Sequence, residues 1–112
     1  MKQITFTFED KEYTLEFTKN TVRQMERRGF VAEDMATKPM TVIPDLFAGA
    51  FLSKHPQLKR EKIDKIFEAM GDKQRLIRAL TDMYAETIEG LIDEVDEGNA
   101  MSWTPNFEIS ES

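Results

Sequence analysis

The chain has 112 residues and a mass of 13.0 kDa, enough for one domain, because a chain of this size buries roughly two-thirds of its extended surface on folding. Apolar residues make up 40% and charged residues 32%, with 5 Gly and 4 Pro, which excludes a disordered or collagen-like chain. The absence of cysteine excludes a disulfide scaffold, a thiolate metal site, an iron–sulfur cluster and a cysteine nucleophile, and is compatible with a reducing compartment. Residues Met1 to Phe6 alternate apolar and polar, unlike the continuous apolar stretch of a signal peptide, and no run approaches the ~18 apolar residues of a membrane span. A soluble, cytoplasmic protein without membrane contact is therefore expected.

The net charge of −6 is unevenly distributed. Residues 1–85 hold all 15 basic groups and 13 of the 21 acids, whereas from Glu86 onward there are eight acids and no base. The pairs Arg27-Arg28 and Lys59-Arg60 are diluted by neighbouring acids and make no basic stripe, so nucleic-acid binding is not expected. Asp93, Glu94, Asp96 and Glu97 would crowd the C-terminal end of a helix, where the macrodipole opposes each negative charge by on the order of a few tenths of a kcal/mol. Such a cluster is either a solvated helix end with a soluble tail or a surface that steers a basic partner.

In chain order, Ile4, Phe6 and Phe8 alternate with polar residues, and after Glu9-Asp10-Lys11-Glu12 a second alternation runs through Tyr13, Leu15 and Phe17. Two period-two runs with a short polar gap predict a β-hairpin. A turn at Asp10-Lys11, or a four-residue loop from Glu9 to Glu12, would pair Phe8 with Tyr13, Phe6 with Leu15 and Ile4 with Phe17, placing every large apolar side chain on one face. A two-stranded hairpin is marginal alone and needs cover.

Helices supply that cover. A short one is predicted from about Asn20 to Arg28, capped by Thr18 or Asn20, with Val22 and Met25 inward and Gly29 ending it. Residues 30–41 read as a connector containing Met35 and Met40. Residues 42–54 place Val42, Ile43, Leu46, Phe47, Ala50 and Phe51 on one face, with Pro44 in the first turn; this segment is apolar almost all round and is predicted to be the central helix. After Pro56, residues 59–70 carry Ile63, Ile66, Phe67 and Met70 at helical spacing. The last helix opens at Asp72 as cap and keeps one apolar stripe through Leu76, Leu80, Met83, Tyr84, Ile88, Leu91, Ile92 and Val95. Gly90 interrupts it at a cost of about 1 kcal/mol relative to Ala, marking either a close helix approach or a weak point. Beyond Gly98 periodicity is lost, yet the only tryptophan, Trp103, is followed by Pro105 and Phe107. These aromatics either fold back on the body or anchor a partner. The fold expected is α+β, mainly α: an N-terminal two-stranded antiparallel hairpin on about four helices, forming one domain over residues 1–97 with an acidic C-terminal tail over 98–112.

Chemistry is harder to find. His55 is the single histidine, which excludes two-histidine zinc sites and histidine relays within one chain, and its place beside Pro56 suggests bonds to local carbonyls or solvent. The phosphate-cradling patterns G-x-G-x-x-G and G-x-x-x-x-G-K-[ST] are absent, as are H-E-x-x-H and the D-x-[DN]-x-[DN]-G calcium loop. Asp82, Glu86 and Glu89 share one helix surface and could hold a divalent cation or act as an acid–base pair, but acids on the polar side of an amphipathic helix are expected anyway. Met35 and Met40 belong to no clear stripe, and flexible thioethers on a connector suit an adaptable binding surface. No catalytic, metal or cofactor residue is assigned. Binding to a protein partner is expected, carried by Met35, Met40, Phe51, Trp103 and Phe107, with Glu94, Asp96 and Glu97 supplying electrostatic steering.

The stretch from Thr21 to Phe30 (TVRQMERRGF), then Lys38-Pro39-Met40-Thr41, Leu46-Phe47-Ala48-Gly49-Ala50-Phe51, Asp93-Glu94, Gly98-Asn99 and Ser102-Trp103 carry a resemblance by their order. In this the chain resembles small proteins encoded among the tail genes of long-tailed phages and prophages of Gram-positive bacteria, related to tail assembly chaperones. The resemblance spans most of the chain. It implies a non-catalytic role in the host cytoplasm: keeping the long, hydrophobic tape-measure protein soluble while tail-tube subunits assemble around it, and leaving before the virion is complete. It also implies self-association, for which the apolar excess of residues 42–54 is available. The alternative reading of the same residues is an acidic inhibitor or antitoxin-like protein whose C-terminal acidic segment occupies a basic groove.

Overall fold

The structure, a computed structural model, describes residues 2–92, 98 and 100–110. It consists of β1 (Ile4–Phe8), β2 (Lys11–Leu15), α1 (Lys19–Arg27), a 3-10 turn (Ala32–Met35), α2 (Pro39–Gly49), α3 (Arg60–Ala69) and α4 (Lys73–Glu89). This is an α+β fold, mainly α, with an antiparallel two-stranded hairpin followed by four helices.

The hairpin forms with its apolar side chains on one face, but two residues out of the expected register: Ile4 pairs with Leu15, Phe6 with Tyr13 and Phe8 with Lys11. The turn is Glu9-Asp10, both in the left-handed region at φ 52° and 64°, as a two-residue loop matched to the strand twist requires. A shift of two leaves every side chain on its expected face because the strand period is two. It does release Phe17 from pairing, and Phe17 instead meets Tyr84 edge-on at a ring-centroid distance of 5.5 Å.

The outward edge of β2 is covered by the chain that follows α2. Glu16 N–H donates to the carbonyl of Ala50 at 3.1 Å, and Thr14 N–H donates to Nε2 of His55 at 3.1 Å. A strand edge that would otherwise invite pairing with another chain is closed by residues 50–55.

Local signals set the helix ends. Thr18 caps α1: its Oγ1 accepts from Thr21 N–H at 3.1 Å, and Thr21 Oγ1 accepts from Thr18 N–H at 2.9 Å. At the other end Gly29 adopts φ 93°, Phe30 N–H reaches the Met25 carbonyl and Gly29 N–H the Glu26 carbonyl, both at 3.0 Å. That paired closure is the Schellman arrangement, which a left-handed glycine permits. Helix α2 begins at Pro39, earlier than expected, so Pro44 lies in its second turn rather than its first. Pro44 has no N–H to offer the carbonyl of Met40, and Met40 is 89% exposed, on the watered side of the helix. Asp72 occupies the N-cap position of α4 with φ 47°, but its side chain makes no cap bond; Lys73 Nζ instead donates to the carbonyls of Glu68 and Met70.

Leu15, Leu46, Phe47, Phe51, Ile66 and Leu80 are fully buried at the centre, where the hairpin face, α2, α3 and α4 converge. The segment 42–54 is central, as its composition predicts, with Phe47 and Phe51 rings 5.1 Å apart at 70°. Phe51, expected to contact a partner, is 1% exposed. Its ring sits among Phe6, Tyr13 and Phe47, so its apolar surface is consumed within the monomer. Helix α1 packs on α2 through Gly49, where a Cβ would come within 3.0 Å of three heavy atoms of Met25.

Candidate functional site

The polar groups drawn into the body are engaged in structural bonds. Glu16, 4% exposed, receives a hydrogen bond from Ser53 Oγ at 2.5 Å and another from Gln3 Nε2 at 2.7 Å. The Ser53 bond and then the Gln3 bond hold its carboxyl below the ordinary value of 4.5, because hydrogen bonds to the charged form favour it. The arrangement ties the segment before β1 and the chain after α2 to the end of β2. His55 lies beside Tyr13, with ring centroids 5.1 Å apart. Burial, and after it the charge of Lys11, pushes the imidazole below its ordinary value of 6.5. Its Nε2 accepts the Thr14 N–H, a bond that requires an unprotonated nitrogen. His55 therefore bonds the hairpin rather than the local carbonyls or solvent expected of it.

Asp82, Glu86 and Glu89 lie exposed along α4, and Glu86 pairs with Lys2 at 3.3 Å. Among the described residues no group of three or more acids and histidines is placed to hold a metal ion. No helix among them is long and apolar enough to cross a membrane.

The residues expected to meet a partner are dispersed. Met35 stands on the 3-10 turn, half-buried and packed against the core, because the turn lies against α2. Met40 projects from the first turn of α2. Trp103 and Phe107 are 75% and 69% exposed, in a segment without regular secondary structure. Both rings stand largely in solvent rather than against the body. Glu94, Asp96 and Glu97 lie outside the described residues.

Sequence reasoning missed the company that Trp103 and Phe107 keep. Ile88, Leu91, Ile92, Met101 and Ile109 are also exposed. Ile88, Leu91 and Ile92 continue the apolar stripe of α4, but the helix ends at Glu89 and the packed part of the stripe ends at Tyr84. Beyond Tyr84 only the start of α1 comes alongside, with Lys19 near Gly90, and it leaves Ile88, Leu91 and Ile92 exposed. The legible signal was the coincidence of these apolar residues with the acids that begin at Glu86. Isolated exposed hydrophobics are ordinary, and it is a contiguous apolar patch that is not.

Gly90 is not a close helix approach: a Cβ there would meet nothing nearer than the Thr87 carbonyl at 3.4 Å, and its backbone is right-handed helical at φ −59°.

Comparison with curated proteins and with solved structures gives no match. A family profile matches residues 1–107, nearly the whole chain, hairpin, helices and Trp103 segment included. On that span the chain belongs to the family described as Domain of unknown function (DUF5055).

Proposed function

We propose that this protein is a non-catalytic phage tail assembly chaperone that binds the tape-measure or tail-tube protein in the host cytoplasm and does not enter the finished virion. The observation that carries this reading is the exposure of Trp103 and Phe107, together with Met101 and Ile109, on a chain whose core is otherwise well filled. A long helical client in water needs its apolar stripe covered, and rigid aromatic side chains supply much contact area for little conformational entropy. The acids that begin at Glu86 keep such a complex soluble. The buried Glu16 and the half-buried His55 are both committed to bonds that hold the hairpin, which supports binding over turnover.

The test is co-expression with the large helical protein of the same tail gene cluster, followed by pull-down. The client should be soluble and captured with the full chain, and less so with Trp103→Ala/Phe107→Ala. A client that stays equally soluble without this protein ends the reading.

A further inference from the structure

We infer that His55 is an acid-released latch on the hairpin: protonation of its imidazole frees residues 54–58 from β2 while the domain stays folded. The latch is a single bond. Nε2 of His55 accepts the Thr14 N–H at 3.1 Å, and among the described residues no other hydrogen bond or ion pair joins residues 54–58 to the hairpin. An imidazole that accepts at Nε2 carries its one proton on Nδ1, whereas the imidazolium carries a proton on each nitrogen and accepts nothing. Protonation therefore sets two N–H groups against each other across 3.1 Å, and one of them must leave. Thr14 is fixed by its pairing with Thr5 in the ladder. Residues 54–58 belong to no helix or strand, and Lys54, Pro56 and Gln57 are exposed, so this is the side that moves.

The surroundings suit release by acid. An open pocket of about 310 Å3, walled by Lys11, Lys54, His55 and Leu58, brings water to the half-buried ring, so a proton reaches it without unfolding. The groups facing the imidazole are the Lys11 ammonium and the Tyr13 ring from β2, the Phe51 ring from the turn after α2, and Lys54 from its own segment. Among the described residues no carboxylate pairs with it, and Glu16, at the end of β2, is taken up by Ser53 and Gln3. Burial, and after it the Lys11 charge, favours the neutral, closed form and holds the folded value below 6.5. The latch is therefore shut above that pH and opens as the pH falls through the folded value. The rest of the cover stays in place. The bond from Glu16 N–H to the Ala50 carbonyl does not titrate, and the Ser53 bond persists until Glu16 itself is protonated, below 4.5. Acid thus exposes the Thr14 donor and the side of the Tyr13 ring beside His55. The release takes place within one chain and needs no client, so it goes beyond the chaperone reading and stands without it.

His55 is the only histidine, so its ring resonances report on the latch without overlap. The experiment follows the imidazole and the amides of Thr14 and Glu16 by NMR in the full chain as the pH is lowered, with far-UV circular dichroism alongside. The Thr14 amide should move upfield with the same midpoint as the imidazole, and its protection from hydrogen exchange should fall by up to about tenfold for each pH unit below 6.5. The Glu16 amide and the ellipticity should stay native through that midpoint. His55→Gln offers a side-chain carbonyl that accepts at every pH, and in it Thr14 should keep its protection. If His55→Gln disturbs the fold, Lys11→Gln, at the exposed start of β2, decides. It removes the cation that opposes protonation, and the Thr14 and imidazole midpoints should rise together, more at low salt than at high. A Thr14 amide that stays hydrogen-bonded after the imidazole is charged overturns the proposal. So do loss of Thr14 and Glu16 protection together as the ellipticity collapses, a Thr14 transition that persists in His55→Gln, and midpoints that separate in Lys11→Gln. Failure of the client pull-down with this release intact would remove the chaperone reading alone.

Discussion

Two aromatic residues that look alike in the sequence should behave oppositely on truncation. Phe51 is 1% exposed and its ring touches those of Phe6, Tyr13 and Phe47, with centroids 6.3, 6.0 and 5.1 Å away. Phe51→Ala removes a whole ring from a site closed on all sides by the hairpin and α2, so the neighbours cannot collapse onto the space. Such truncations cost about 3–5 kcal/mol, a large part of the roughly 5–15 kcal/mol that stabilises a domain. Trp103 is 75% exposed, and Trp103→Ala should change stability by less than about 0.5 kcal/mol, as surface substitutions do. Urea unfolding followed by far-UV circular dichroism measures both, since ellipticity reports the helices regardless of where Trp103 sits. Because Phe51→Ala could leave too little folded protein to analyse, Phe51→Leu provides a second point, with an expected loss of about 1–1.5 kcal/mol. A loss under 1 kcal/mol for Phe51→Ala, or a loss above that figure for Trp103→Ala in dilute monomer, would refute the assignment of one ring to the core and the other to the surface.

The glycines divide similarly. Gly49→Ala drives a methyl into Met25 and should destabilise by about 1–3 kcal/mol by overpacking, a loss that Met25→Ala in the same chain relieves in a double-mutant cycle. Gly90→Ala adds a methyl that makes only ordinary van der Waals contacts in a helical conformation and should raise the unfolding free energy by about 0.4–1 kcal/mol. Ser53→Ala removes a hydrogen bond to the buried Glu16 carboxylate and should cost about 1.5–3 kcal/mol at neutral pH, the cost shrinking as acid protonates Glu16. Stability should also fall in two stages on acidification. His55, with a folded value below 6.5, takes up its proton more readily unfolded, so stability declines as the pH drops from 6.5 toward the folded value. Glu16, held below 4.5, adds a second decline that begins near that pH and runs toward its own lower folded value. Unfolding free energies of His55→Gln across the same pH series should lack the first stage and keep the second; a first stage that persists there refutes the His55 assignment.

Much of the fold was legible without coordinates, and for local reasons. Period-two and period-3.6 patterns specify which face of an element is apolar, so the hairpin face, Val22 and Met25 on α1, Ile63 and Ile66 on α3 and Leu80 on α4 all point where their spacing says. Caps are local as well: Thr18 and Gly29 bound α1 through bonds that span at most five residues. Pattern does not specify what covers a face. The hairpin register depended on whether Glu9 and Asp10 would accept left-handed dihedrals, and Asp10-Lys11 offered an equally apolar pairing two residues away. Phe51 and Trp103 differ only in what surrounds them, and that is decided when distant elements converge. Phe51 falls where the hairpin and the C-terminal end of α2 meet, while the α4 stripe leaves Ile88, Leu91 and Ile92 exposed beyond Tyr84. His55 became a hairpin ligand because the chain after α2 runs along β2. The sequence by itself determined the elements, their order and their apolar faces, since each depends on neighbours a few residues away. Only the tertiary structure decided the register, the cover of the β2 edge and which aromatics remain in water, because burial is shared among faces far apart in the chain and goes first to those that meet.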